Sequence, residues 1–212
     1  SALGVAGEPN PFQPPRDESF PMPAFPQSYA DSLFERACEA LDIEIHTVPQ
    51  ARNSESYDGR SQCMGYSTCT PVCPSGAKYS ADVHVRKAEQ QGARVIDRAP
   101  VQRLEHDGAG DTVTAAVYAT PDGRTHRQEA DCFVVACGGI ETPRLLLLSE
   151  SAQYPDGLGN SSGAVGRYFM EHPWVSLGGT IDEPAGSNPI GFHTSESHQF
   201  VDHDAPRPGS IK

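Results

Sequence analysis

Lysine is scarce in this sequence: of 212 residues only Lys78, Lys87 and Lys212 are Lys, and the formal net charge is −12. Nucleic-acid binding needs a basic face, so this balance argues against a nucleic-acid partner. The acidity reads as a soluble surface kept apart by its own charge, or as the surface of a protein from a high-salt cytoplasm. No apolar run reaches about 18 residues, so no transmembrane segment is expected. The first 27 residues are proline-rich and lack the apolar stretch of a secretory leader. Cysteine is limited to six residues, at 38, 63, 69, 73, 132 and 137. A secreted disulfide framework would be shorter and denser in Cys. Cys38, Cys132 and Cys137 sit in periodic or apolar segments and are expected to be small core residues.

Residues 1–27 have no periodicity and read as an extended Pro-rich arm. Ser28 is placed to cap a helix over about 29–41, where Leu33, Ala37, Cys38 and Leu41 recur at helical spacing. Residues 43–48 alternate like a short strand. A Ser/Gly/Pro-rich loop follows, and Ser80 is placed to cap a helix over about 81–91 that Gly92 ends. Arg94–Asp97, Val101–His106 and Thr112–Thr120 are strand-like, and the last two flank turns of the kind that join antiparallel strands. The run 130–137 is almost continuously apolar, the pattern of a strand buried on both faces in a parallel sheet. Gly138-Gly139 ends it, and Thr142-Pro143 is expected to open a helix through Ser149, with Pro143 in its first turn. Val175–Ile181 is a further strand candidate, and the chain beyond about 184 is polar and weakly patterned.

Two stretches carry chemistry. A strand that ends in two glycines and feeds a helix lets a ligand approach the backbone, and offers free N–H groups and a positive dipole end to a phosphate. It is also an ordinary strand-to-helix turn of any α/β protein. A meander followed by a strand ending in Ala-x-Gly favours an FAD-binding layout over the ordinary turn. The second stretch is Cys63-x5-Cys69-x3-Cys73-Pro74. Three thiolates on one loop can converge on one metal centre, and iron–sulfur clusters are held by such thiolates. A zinc site would want a fourth ligand, and His84 is the nearby candidate. Three metal-free cysteines, or one disulfide, are the plainer alternative.

Residues 138–149, Gly-Gly-Ile-Glu-Thr-Pro-Arg-Leu-Leu-Leu-Leu-Ser, resemble the second signature of the glucose-methanol-choline (GMC) oxidoreductases. Gly139 and Glu150 depart from it. Residues 163–173, ending Glu171-His172-Pro173, are similar to the family's Val-Gly-Arg…His-Pro element. The stretch Arg60, Cys63, Cys69, Pro71, Cys73, Pro74, Gly76-Ala77-Lys78-Tyr79, His84, Lys87-Ala88-Glu89 and Gly92-Ala93 looks like one branch of that family. That branch holds the large subunits of gluconate, sorbitol, fructose and FAD-glucose dehydrogenases. Met64 stands where some members have a second Cys.

The resemblance implies a mixed α/β fold: a partial FAD-binding domain with a β-meander and a strand-GlyGly-helix unit, plus part of a substrate domain. Residues 28–150 would be the FAD-binding part, with the Cys loop at 60–79, and residues 151–212 the start of a substrate region with a polar tail. Implied FAD contacts are Val101, Ala136, Cys137, Gly138 and Gly139. Cys63, Cys69 and Cys73 would hold a 3Fe-4S cluster. His172 matches a position that is usually structural. The implied chemistry is oxidation of a CH–OH group of a small alcohol, sugar, polyol or sugar acid, with a cytochrome or small subunit as electron acceptor. The compartment is left open between cytoplasm and membrane periphery. FAD domains open on G-x-G-x-x-G, which this sequence lacks, and the family's catalytic His lies beyond the matching region. No catalytic residue is therefore assigned; His193, His198 and His203 lie in the polar tail, and the chain reads as a middle piece of an enzyme that is inactive alone. A GMC alcohol or choline dehydrogenase with a structural Cys loop, and a non-catalytic remnant or assembly module, are the alternatives.

Overall fold

The computed structural model describes residues 3–182, 191–201 and the backbone of 209–211. Its elements are α1 (Tyr29–Glu39), β1 (His46–Thr47), α2 (Asp82–Gln90), β2 (Val101–His106), β3 (Val113–Ala119), β4 (Thr125–Glu129), α3 (Gly138–Leu148), β5 (Ser195–Phe200) and β6 (Gly209–Ile211). They form two compact units. One comprises residues 1–91 with 178–212, the other residues 92–177. Among the described residues no helix is long and apolar enough to cross a membrane.

The first unit is organised by its amino-terminal segment, which does more than lie over a surface. Ala6, Met22 and Phe25 form a buried cluster, with Tyr57 and Cys63 packed against it. Ala6 exchanges both backbone hydrogen bonds with Gln50 at 2.8 Å, so the segment is tied to the chain that leads into the Cys loop. Helix α1 begins as its sequence predicts. The Ser28 hydroxyl accepts the Asp31 N–H at 3.1 Å, satisfying one of the donors that a helix start leaves open. Buried Asp31 in turn accepts the Thr194 N–H at 3.2 Å and the Thr194 hydroxyl. Burial alone would raise the Asp31 pKa, but these hydrogen bonds and those from Ser28 outweigh it and hold the carboxyl below its ordinary value. Helix α2 starts without a side-chain cap: Ala81 occupies the N-cap, and Ser80 contributes only its carbonyl, to the Val83 N–H. Strands β1, β5 and β6 make an antiparallel sheet in the order β1-β5-β6.

The second unit is the meander β2-β3-β4 with α3 beside it. Alternation along β3 buries Ala115 and Val117 on one face, and Leu104 of β2 and Leu145 of α3 are buried as well. Asp107 shapes the β2–β3 connection, its carboxylate accepting Gly110 N–H at 2.7 Å and Asp111 N–H at 3.0 Å.

Several sequence expectations are corrected. Residues 130–137 join no sheet among the described residues, and Val134 is 86% exposed. A doubly buried strand needs neighbours on both edges, and none of the strands in this unit lies beside it. Cys132 and Cys137 are accordingly exposed, whereas Cys38 is buried as expected. Arg94–Asp97 and Val175–Ile181 also form no strand, and Leu177 is 91% exposed. Helix α3 opens at Gly138 rather than at Thr142, so Pro143 lies inside it. A proline there removes one helical hydrogen bond. His203 lies outside the described residues.

Candidate functional site

The three loop thiols are brought together. Cys63, Cys69 and Cys73 line one pocket of about 240 Å³, counting space open to solvent. The loop has a tied stem: Asn53 N–H donates to the Ala77 carbonyl at 3.0 Å and Tyr79 N–H to the Ala51 carbonyl at 2.7 Å. Asn53 is fully buried. Its side-chain amide donates to the carbonyls of Tyr57 at 3.1 Å and Arg60 at 2.9 Å, and its backbone carbonyl accepts the Cys63 N–H at 2.9 Å. The amide thereby fixes the turn that delivers the first thiol. Lys78 secures the other end. Its ammonium donates to the Cys69 carbonyl at 2.6 Å and its N–H to the Cys73 Sγ at 3.5 Å.

At Cys73 the contacts favour the thiolate. Burial pushes the Cys73 thiol up, but hydrogen bonds from the Lys78 N–H and Ser75 outweigh it and hold the thiol below its ordinary value. All six cysteines are free. His84 is engaged elsewhere, its Nδ1 lying 2.9 Å from the Tyr79 hydroxyl. Gly191 closes over the loop: a Cβ added there would lie 2.6 Å from the Cys69 Sγ, and its φ of +90° suits only glycine.

The residues expected to face FAD lie in the other unit. Ala136, Cys137, Gly138 and Gly139 are consecutive and exposed, and they pass into the N-terminus of α3. Gly138 has φ +82°, and a Cβ added there would meet nothing within 4 Å, so the space before the helix is open. No side chain caps α3 at Cys137, whose own N–H donates to the Thr142 hydroxyl at 3.1 Å. The free N–H groups and dipole of such an end suit a phosphate. An open-sided cleft of about 1010 Å³, counting space open to solvent, adjoins it, lined by Gly139, Ile140, Pro143, Leu147, Gly166 and Phe169. Val101 opens β2, paired with Tyr118 and 39% exposed, so its outer edge is reachable. His172 is exposed, and its N–H donates to the Glu171 carboxylate at 3.0 Å.

Residues 24–174 match the family model described as GMC oxidoreductase. The chain belongs to the GMC oxidoreductase family. It is 40% identical over 202 residues to the fructose dehydrogenase large subunit of Gluconobacter japonicus, covering 95% of this chain and 37% of that protein. It is 34% identical over 175 residues to 6'''-hydroxyparomomycin C oxidase of Streptomyces lividus, covering 77% of this chain and 31% of that one. Similarity to the gluconate 2-dehydrogenase flavoprotein of Pantoea cypripedii is 26% identity over 192 residues, 84% of this chain and 30% of the relative. The chain thus spans about a third of the length of each of these three relatives.

One cluster escaped the sequence reading. His46, Glu196 and His198 are the one set of His, Cys, Asp or Glu ligand atoms, among the described residues, within 4.8 Å of one another. Its only sequence signal is Glu-x-His on a strand. Ser195–Phe200 has no apolar alternation to reveal that strand.

Proposed function

We propose that this chain is part of an FAD-dependent dehydrogenase that oxidises a CH–OH group of a sugar, polyol or sugar acid. Electrons would leave through an iron–sulfur cluster held by Cys63, Cys69 and Cys73. The observation that carries the reading is the thiol loop: three free cysteines about one pocket, one of them with its pKa held below the ordinary thiol value by backbone and hydroxyl donors. The names of two relatives, a fructose dehydrogenase large subunit and a gluconate 2-dehydrogenase flavoprotein, support the substrate class.

When bound, FAD would accept the hydride and the cluster would pass single electrons on. This chain's residues would hold and shield those groups. The N–H groups at the start of α3, with Gly138 and Gly139 leaving room, would receive the flavin's pyrophosphate, and the backbone of Val101 would face its adenine. Lys78 and Ser75 would stabilise the Cys73 sulfur as a ligand. Three thiolates on one loop suit a three-iron cluster, whereas a structural zinc takes four ligands and the nearby His84 is held by the Tyr79 hydroxyl instead. A cytochrome or a small subunit would be the acceptor, a role suited to a protein named as a large subunit.

A visible spectrum with iron and sulfide analysis of the protein at its relatives' length tests both parts. Flavin bands and about three irons per chain are expected. Cys69→Ser should lower the iron and slow electron delivery to an external acceptor while the flavin content stays unchanged. A folded protein without flavin would end the reading; flavin with zinc in place of iron would leave only an alcohol dehydrogenase with a structural Cys loop.

A further inference from the structure

We propose that His46, Glu196 and His198 form a binding site for one divalent transition-metal ion of the zinc class, separate from the thiol loop. The ladder itself assembles the site. His46 of β1 stands opposite Glu196 of β5, and His198 follows Glu196 by two residues, so all three side chains emerge on one face of the pair. His46 Nε2 lies 2.9 Å from His198 Nδ1 and 4.0 Å from Glu196 Oε1, and one ligand atom from each of the three residues lies within 4.8 Å of the others. Ligand atoms around a tetrahedral ion with bonds of about 2.0–2.1 Å lie about 3.3 Å apart. The 2.9 and 4.0 Å separations bracket that value, so modest side-chain movements would complete the set.

The protonation pattern also fits. His46 Nδ1 lies 3.0 Å from the Thr47 carbonyl, which can only accept, so Nδ1 carries the proton and Nε2 turns its lone pair inward. A ligating histidine oriented through its other nitrogen by a backbone carbonyl is the usual support for a metal site. His198 presents Nδ1 to the ion once its proton resides on Nε2, a tautomer change that loses no proton. The Phe12 ring, with its centroid 5.6 Å from that of His46, adds an apolar wall. The side chains of His46 and Glu196 are 4% and 5% exposed and that of His198 is 24% exposed, so the site is enclosed but reachable from one side. Two imidazoles and one carboxylate suit zinc-class ions.

The site also answers a need of the fold. β1 is two residues long and pairs with a strand about 150 positions away. So short a ladder offsets little of the entropy of closing such a loop. An ion bound across it would staple β1 to β5, since its binding energy enters the folding energy directly.

The test uses the full-length protein, stripped of loosely held metal with flavin and iron content checked, and titrated with Co²⁺. One equivalent should bind with weak ligand-field bands and without the strong thiolate charge-transfer band. His46→Gln and His198→Gln should each weaken that binding more than about 100-fold, since even losing an outer-shell partner costs 10–100-fold. Cys69→Ser should bind this equivalent as the wild type does. No uptake of cobalt, or uptake only with thiolate bands that vanish in Cys69→Ser, would overturn the proposal. Should the His variants fail to fold, zinc-edge X-ray absorption of the zinc-loaded wild type decides. A nitrogen and oxygen shell near about 2.0–2.1 Å supports the site, and a sulfur shell alone near about 2.3 Å refutes it.

Discussion

Ser149 shows what a signature residue does physically. Its hydroxyl donates to the Leu145 carbonyl at 2.7 Å and accepts the Leu104 N–H at 2.9 Å, while only 1% of the residue is exposed. One side chain thus closes the end of α3 and satisfies an outward-facing donor of β2. Ser149→Ala would leave the Leu104 N–H buried and unpaired, which costs about 1–3 kcal/mol. Denaturant unfolding of the full-length protein should show that loss, and unchanged stability would mean that water replaces the hydroxyl. The serine was legible in the sequence as part of a pattern, but its role was not, because its partner lies 45 residues away. The three thiols were legible for the opposite reason: they share one short loop, and spacing alone brings them near one pocket. His46 and His198 share no such nearness, being 152 positions apart.

Among elements, legibility follows the apolar pattern. α1 was readable from its cap and its helical spacing, and β2 and β3 from their apolar alternation and turns. β4, Thr-His-Arg-Gln-Glu, and β5, Ser-Glu-Ser-His-Gln-Phe, hold almost no apolar residues, and pairing rather than burial pattern makes them strands. The start of α1 carries a pH-dependent contribution whose sign is fixed. Asp31 is held below its ordinary value in the folded protein, so its stabilisation is fully present above the unfolded value of about 3.9. It is lost as pH falls through the lower, folded value. Asp31→Asn should therefore lower stability at neutral pH, with the gap to the wild type narrowing below about pH 4. Unfolding measured across that range checks this; a gap that stays constant would show that the charge contributes nothing and only the shape of the cap matters.

At the scale of the molecule, the second unit exposes more apolar surface than a self-sufficient domain keeps. Val134, Met170, Trp174 and Leu177 are each at least 76% exposed. Exposed apolar surface, where it gathers into a patch, marks a place where another surface packs. The run 130–137 has the composition of a central strand and no partner strand, and the chain spans 37% of the fructose dehydrogenase subunit that it resembles. Periodicity could show that this segment wants burial on both faces, but not where its neighbours lie. A GMC protein of its relatives' length would provide them, as strands on either side of 132–136 that also set Gly138 at a sheet's carboxyl edge, where dinucleotides bind. Hydrogen exchange can decide the point. In the full-length protein the amides of Phe133, Val134 and Val135 should exchange as slowly as those of β3, because a paired central strand opens only with its domain. Exchange at the rate of an exposed loop would mean that the run stays unpaired, and Gly138 would then have no sheet edge from which to present α3 to a pyrophosphate.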